Sequence, residues 1–378
     1  MSVLPGQTIG MLGGGQLGRM ALLAGRKMGY RFAVLESKPN SPAGQIADHE
    51  VISAYDDEAG LSRLAELADV VTLEFENIPA SAIKFLSQRV PVYPGVEALH
   101  VSQNREREKT FLRKQGIPCV PFEVVDSEES LVAAVKEIGF PAVLKTADFG
   151  YDGKGQVKIT AESNLGEVWK SFDAPKGVLE KWIQYDGEYS ILIARNVSGH
   201  TAQYPLVENV HRNHILHTTT APVNLDSSVQ AQADSIAIQI AEAFNYVGLL
   251  AIEFFLVDEK LWVNEMAPRP HNSGHYTFDG SLTSQFEQQI RAICDLPLGS
   301  TELLKPVCML NLLGDVWQHA DPDWTKVLSD PDVKLHLYDK GEARVGRKMG
   351  HINVFADSAD AARSKAIEID RLLNPQAS

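Results

Sequence analysis

The strongest constraint on the fold is a glycine-rich turn, Gly13-Gly14-Gly15-Gln16-Leu17-Gly18. It sits between a short apolar run, Thr8 to Leu12, and a helical stretch, Arg19 to Met28. A short apolar run bounded by glycines reads as a buried strand, so the chain opens strand, turn, helix. Gly29 ends that helix in the usual position for a left-handed residue. Arg31 to Leu35 reads as a second strand ending at Glu36, and Val70 to Phe75 as another. Alternating strands and helices predict a parallel sheet with right-handed crossovers.

The turn matches G-x-G-x-x-G, and Glu36 lies 18 residues beyond Gly18, near where a ribose-binding acid would sit. That is the dinucleotide fingerprint, in which backbone amides and a helix N-terminus face phosphate. Two other readings stay open at this point. The glycines could serve only a tight turn, or the loop could hold a different phosphate, such as that of a ribotide.

Near Asn104 the pattern changes. Arg105 to Gln115 is a charged helix closed by Gly116 and Pro118. Asp126 to Ile138 reads as a helix with Asp126 as N-cap, Glu129 three residues on, and Leu131, Val132, Val135 and Ile138 on its apolar face. Strands are expected at Ala142 to Lys145, Gln156 to Ile159, Val178 to Ile183 and Glu188 to Arg195. A long helix is expected over Ser228 to Tyr246, and a hairpin over Leu250 to Glu265. The tail mixes short strands, Lys334 to Tyr338 and His351 to Phe355, with a final helix, Ala359 to Leu373. The chain thus divides into residues 1–103, 104–300 (with a lid at about 117–185) and a small, dependent unit, 301–378.

The middle of the chain has the marks of a nucleotide site without a G-x-x-x-x-G-K-[ST] loop. Lys145 ends the apolar strand that begins at Pro141, and a second loop follows, Gly150-Tyr151-Asp152-Gly153-Lys154-Gly155-Gln156. Its glycines let backbone amides approach an anion closely, and Lys154 adds charge. In the hairpin, pairing Val257 with Leu261 across a three-residue turn, Asp258-Glu259-Lys260, puts Glu253 opposite Glu265. Two carboxylates about 5 Å apart repel unless a cation sits between them. Hard oxygen ligands favour Mg²⁺ bridging to phosphates. A polar, proline-stiffened loop, Asn264 to His275, begins where that pair ends, a natural substrate site.

Charge excludes other classes. Lys plus Arg number 35 against 49 Asp plus Glu, a net charge of −14. Neither a nucleic-acid binder nor a membrane-surface protein is expected, since both need a basic field. Cys119, Cys294 and Cys308 form no disulfide or zinc pattern, which fits a reducing cytoplasm. No signal segment is read at the N-terminus, and the longest apolar stretch, Val247 to Val257, is broken by Glu253.

Taken in order, these strings resemble the ATP-grasp superfamily: GGGQLGRM (Gly13–Met20), LEFENI (Leu73–Ile78), GYDGKGQ (Gly150–Gln156), EKWI (Glu180–Ile183), NEMAPRPHNSGHYT (Asn264–Thr277) and GRKMGHIN (Gly346–Asn353). Within that superfamily the chain is similar, over nearly its whole length, to the ATP-dependent carboxyaminoimidazole ribonucleotide synthases of purine biosynthesis. The resemblance implies an α/β architecture: an ATP-grasp fold preceded by a Rossmann-like domain and followed by a small mixed α/β domain. It implies carboxylation of the exocyclic amine of 5-aminoimidazole ribonucleotide, with ATP converting bicarbonate to carboxyphosphate. It also implies Mg²⁺ (or Mn²⁺), no biotin, and a homodimer.

By the same resemblance, Arg105 and Lys145 would meet the ATP phosphates, with Gly150, Tyr151, Asp152, Gly153, Lys154, Gly155 and Gln156 as lid. Glu180, Lys181, Trp182 and Ile183 would hold the adenine edge and Glu188 the ribose. His211 and Asn264 would complete the nucleotide site, and Glu253 and Glu265 would hold the metal. Gly15, Gln16 and Leu17 would face the ribotide phosphate with Lys340 and Arg347, and Glu74 would approach the aminoimidazole ribotide. Tyr151, Asp152, Arg269, His271, Asn272 and Ser273 would surround bicarbonate and the amine. Asp152, His271, Arg269 and Lys154 are the catalytic candidates, with Asp152 favoured over His271 as proton acceptor. The competing expectations are an ATP-grasp ligase with another acceptor, such as a formate-dependent ribotide transformylase, and, more remotely, an NAD-dependent dehydrogenase.

Overall fold

The computed structural model describes residues 2–148, 155–318 and 320–374. The first hundred residues form a five-stranded parallel sheet. Thr8–Leu12 lies at its centre between Arg31–Glu36 and Val70–Leu73, and His49–Ile52 and Val92–Tyr93 are the edges. Its central strands read as near-continuous apolar runs because helices cover both faces; Ile9, Leu12, Phe32 to Leu35, Val70 and Val71 are inaccessible to solvent. The chain runs outward from the central strand to one edge, then crosses back to the other. That leaves a crevice beyond the carboxyl ends of Thr8–Leu12 and Val70–Leu73, where such sheets bind ligands.

A second sheet of nine strands organises the rest, with Gly248–Val257 and Lys260–Ala267 at one end and Val333–Leu337 at the other. The tail has an apolar cluster of its own, with Leu310, Val333, Ile352 and Ala366 in it, but no sheet of its own. Its Val307–Leu313 strand pairs with Ile215–Ala221, and Lys348–Phe355 pairs with Val307–Leu313 in turn, so one sheet runs through both units. Helix Ser227–Ala243 covers Gly187–Arg195 through Val229, Ala233, Ile236 and Ile240. Helix Gln285–Ile293 packs Phe286, Ile290 and Ile293 against Leu17 and Met20 of the first helix, which fixes the first sheet against the second. A four-stranded antiparallel sheet is drawn from Phe122–Val125, Gly177–Lys181, Ala142–Thr146 and Gln156–Ile159. No helix among the described residues is long and apolar enough to cross a membrane.

Local readings shift in informative ways. The first helix begins at Gln16 rather than Arg19, so Gln16 and Leu17 belong to its first turn. The helix expected from Asp126 starts at Glu128; Ser127 is its cap, and the capping box closes through Ser130 rather than Glu129. The hydroxyls of Ser127 and Ser130 answer each other's backbone amides, which the longer glutamate does not do here.

Candidate active site

The glycine loop is filled by the protein itself. Gly15 and Gly18 donate their amides to the two carboxylate oxygens of Glu74, the second at 2.9 Å. Gly14 donates to Glu36 Oε2 at 2.9 Å, and the Tyr55 hydroxyl donates to the same oxygen at 2.8 Å. The glycines make room for this: a Cβ on Gly13, whose φ is +98°, would lie 2.5 Å from Glu74 Cγ, and one on Gly15 would lie 2.5 Å from Glu74 Oε1. Glu74 therefore stands where a dinucleotide would put its pyrophosphate, and Glu36, the expected ribose acid, is spoken for. The dehydrogenase expectation fails on that geometry. Burial pushes the Glu74 carboxyl up, with the two amides and Lys340 pulling the other way. Lys340, itself pushed down to about 8 by burial and by Arg347 and Lys348, brings the tail to this end of the site.

The cationic residues gather on one acid. Glu180 stands in the Gly177–Lys181 strand of the four-stranded sheet with Lys145 Nζ at 2.7 Å, Arg105 Nε at 3.7 Å and Lys109 Nζ at 3.8 Å. Burial alone would raise its pKa, but the three cations hold it down at about 2. Glu180 thus points its side chain at the cations that were assigned to phosphates. The amides of Lys181 and Trp182 are given to the carbonyls of Pro121 and Pro141. Trp182 is largely exposed, with Lys158 Nζ 4.4 Å from its ring centre. Glu188 accepts from the Tyr185 hydroxyl at 2.6 Å and pairs with His211 Nδ1. Despite its burial, His211 is held more basic than usual by Glu188 and Glu253.

Glu253 and Glu265 do face each other, but by a different route. The turn has two residues, Asp258 and Glu259, both left-handed (φ +48° and +62°), so Val257 pairs with Lys260. A bulge at Asn264 then moves the register by one residue and brings Glu265 opposite Glu253. The bulge is clamped from the charged helix Arg105–Lys114. Lys109 Nζ donates to the Asn264 carbonyl at 2.8 Å, and Glu108 accepts from the Met266 amide at 2.6 Å. Burial and the facing Glu265 together push Glu253 up. Two opposed carboxylates with this mutual cost fit a divalent cation with oxygen ligands. Among the described residues they are not part of a three-residue His/Cys/Asp/Glu cluster, so a cation held there would draw its remaining ligands from phosphate or water.

The loop after the hairpin carries the site onward. His271 Nε2 is 3.7 Å from Glu253 Oε1. His271, Arg269 and Asn272 then line an open cleft shared with Gln16, Leu17, Glu74, Phe75 and Lys348. This cleft is the crevice at the end of the parallel sheet. Arg269 is engaged by Glu76, which receives its Nε and, at 3.0 Å, its Nη2. Asn272 is buried with neither side-chain polar atom bonded. Ser273 lies beneath the cleft rather than in it, bonded to His271 Nδ1 at 2.9 Å. Arg347 gives Nη1 to the Glu342 carbonyl at 2.9 Å. Gln156 begins the strand and pairs with Lys145, and Gly155 just before it accepts from the Thr146 amide; Gly150, Tyr151, Asp152, Gly153 and Lys154 lie outside the described residues.

Five residues near the site escaped the sequence reading as individuals. Phe75, Glu76 and Lys348 stand inside strings already singled out, so a signal was present. Glu108 and Lys109 had none: on a charged helix they read as solvated, and only packing against the hairpin buries them.

Three family models match in succession along the chain. A ribonucleotide synthetase preATP-grasp domain matches residues 6–103, an ATP-grasp domain 110–286, and a phosphoribosylaminoimidazole carboxylase C-terminal domain 307–365. The N5-carboxyaminoimidazole ribonucleotide synthase of Bacillus subtilis is 42% identical over 95% of this chain and 94% of its own; that of Pseudomonas aeruginosa is 40% identical over 97% and 99%. Among solved structures, the ADP complex of an N5-carboxyaminoimidazole ribonucleotide synthetase superposes with a TM-score of 0.94 at 44% identity, covering 100% of this chain and 99% of that one. The Aspergillus clavatus enzyme in complex with ADP and 5-aminoimidazole ribonucleotide gives 0.89 at 31% identity, covering 98% and 99%. The α/β architecture, an ATP-grasp fold between a Rossmann-like domain and a small C-terminal one, is that of these relatives, and the chain belongs to the N5-carboxyaminoimidazole ribonucleotide synthase family.

Proposed function

We propose that this chain carboxylates the exocyclic amine of 5-aminoimidazole ribonucleotide at the expense of ATP, with bicarbonate as carbon source. The supporting observation is the place of His271. It stands 3.7 Å from Glu253, one of the two acids that would serve the phosphoryl groups, and it lines the cleft that would hold the acceptor. The two halves of the reaction meet there.

In this reading ATP lies between the four-stranded sheet and the acidic hairpin. Lys145 and Arg105 divide their charge between Glu180 and the phosphates. Glu180 to Ile183 run along the adenine edge, with Ile183 offering the amide after the two already engaged. Glu188, steadied by Tyr185 and His211, takes the ribose hydroxyls. Glu253 and Glu265 would hold Mg²⁺ or Mn²⁺, and the bound ion would neutralise charge on the transferred phosphoryl group. The transfer itself asks for positioning more than covalent help. Bicarbonate oxygen takes the γ-phosphoryl group and ADP leaves. The amine nitrogen then bonds to the carboxyl carbon, the carbon–oxygen bond to phosphate breaks, and one N–H proton is released. Arg269 can present its guanidinium to a carboxylate in a bidentate way, as it now does to Glu76. Lys340, Arg347 and Lys348 with the amides of Gln16 and Leu17 bind the ribotide phosphate. Asp152 on the lid accepts the amine proton, and closure of the lid protects carboxyphosphate from water. A cytoplasmic homodimer without biotin belongs to the same reading, on the strength of the family resemblance.

The test is phosphate release from Mg-ATP and bicarbonate, with and without 5-aminoimidazole ribonucleotide. Release that depends on the ribotide, with formate unable to replace bicarbonate, is expected. Equal release with formate would make the chain a transformylase. Loss of the ribotide dependence would remove the acceptor half of the proposal.

A further inference from the structure

His271 ends a buried chain of polar groups that the reaction above does not use. Thr219 Oγ1 lies 2.9 Å from Asn209 Oδ1, and Asn209 Nδ2 lies 2.9 Å from Ser190 Oγ. Ser190 Oγ lies 2.8 Å from Ser273 Oγ, which lies 2.9 Å from His271 Nδ1. Thr219, Asn209 and Ser190 come from three neighbouring strands of the large sheet; Ser273 comes from the loop after the hairpin. All four are shut away from solvent. Such a chain is costly to leave half-satisfied.

The chain has a direction. An amide nitrogen only donates, so Ser190 accepts from Asn209 and gives its own proton to Ser273, which gives its proton to His271 Nδ1. The far end agrees, more weakly: the Ser273 backbone N–H points at the same Nδ1 from 3.3 Å, a long contact that biases the ring without fixing it, and it too can only donate. Turning the Asn209 amide over would reverse the chain and place a ring N–H against that backbone N–H. Two donors therefore converge on Nδ1, and a neutral ring so held carries its hydrogen on Nε2. Nε2 is the atom that faces Glu253.

We propose that Thr219, Asn209, Ser190 and Ser273 are positioning residues that hold His271 as an Nε2–H donor. Resting on the carboxylation reading, this makes His271 a hydrogen-bond donor to an oxygen of the bicarbonate-derived group. It removes His271 as acceptor of the amine proton, because the lone pair an acceptor needs is turned toward Ser273. The same argument removes Nε2 as a metal ligand.

The decisive measurement is a long-range nitrogen–proton NMR spectrum of the full chain labelled with ¹⁵N-histidine, at neutral pH without substrates. The His271 signals are identified by their loss in His271→Asn. An Nε2–H ring is expected; an Nδ1–H ring or an imidazolium at His271 overturns the proposal. In Ser190→Ala the ring should become a mixture of tautomers. Turnover should fall about five- to tenfold, the worth of one neutral hydrogen bond, while KM for ATP stays within about twofold. An unchanged tautomer and turnover would sink the relay. Should Ser190→Ala not fold, Thr219→Val against Thr219→Ser asks the same question, since only the second keeps the hydroxyl that orients Asn209. If phosphate release proves independent of the ribotide while His271 is Nε2–H, the reaction reading fails and the tautomer stands.

Discussion

Glu180 and Glu253 are the same residue type, the first fully buried and the second mostly so, and their surroundings treat them in opposite ways. Glu180 has three cations around it and is held down at about 2. Glu253 faces another carboxylate and is pushed up. One half of the site holds its acid against three cations, so that acid is paired before anything binds and positive charge is left over for an anion. The other half is short of positive charge, and a cation-bearing ligand is what completes it. The difference shows that burial alone does not set a carboxylate's behaviour; the sign of its nearest partner does.

The largest expected effect separates the two acids by readout. Glu253→Gln should lower turnover about 10³-fold, comparable with losing a major electrostatic contact in a transition state. Its chemical denaturation midpoint should stay or rise, because a repulsion has been removed. A variant that loses stability together with activity would break the comparison.

Glu180→Gln should act the other way round. Removing the common partner of Lys145, Arg105 and Lys109 leaves buried cations unpaired and should cost about 3–5 kcal/mol of stability, read from urea unfolding. A loss below about 1 kcal/mol would mean that the cations are already paid in water, as at a surface site.

The smallest effect is a difference in pH slope without substrates. Glu180, lowered on folding, contributes stability that is present above the unfolded carboxylate pKa and lost as pH falls toward about 2. Glu253, raised on folding, contributes stability that is full below the unfolded pKa and lost as pH climbs through its raised value. Wild-type stability should therefore sag on the neutral side, and Glu253→Gln should flatten that sag while leaving the acid limb in place. Equal slopes in the two proteins on the neutral side would contradict the assignment.

How much was legible beforehand differs by element. The parallel sheet, the charged helix and the final helix were readable because apolar spacing and glycine or proline punctuation are local signals. The opposition of Glu253 and Glu265 was readable only in outcome. The expected three-residue turn is a two-residue one, and the bulge at Asn264 restores the offset. A bulge leaves no mark in apolar alternation when its cause lies elsewhere in the chain. Here that cause is Lys109 and Glu108, on a helix whose composition says solvent.

The sequence by itself determined the order of elements, the family, and which residue types were at hand: two glycine loops, a strand-end lysine, an acid in each arm of a hairpin, a polar loop after it. Each of these rests on local pattern, which a chain carries wherever it goes. Tertiary structure alone decided the partners. It put Glu74 on the Gly15 and Gly18 amides of the first glycine loop, set Lys145 on Glu180, joined the tail's strands to the central sheet, and brought two donors onto one nitrogen of His271. Those are choices between groups far apart in sequence. Hydrogen bonds and charge pairs act over a few ångströms, so only the folded distances could make them.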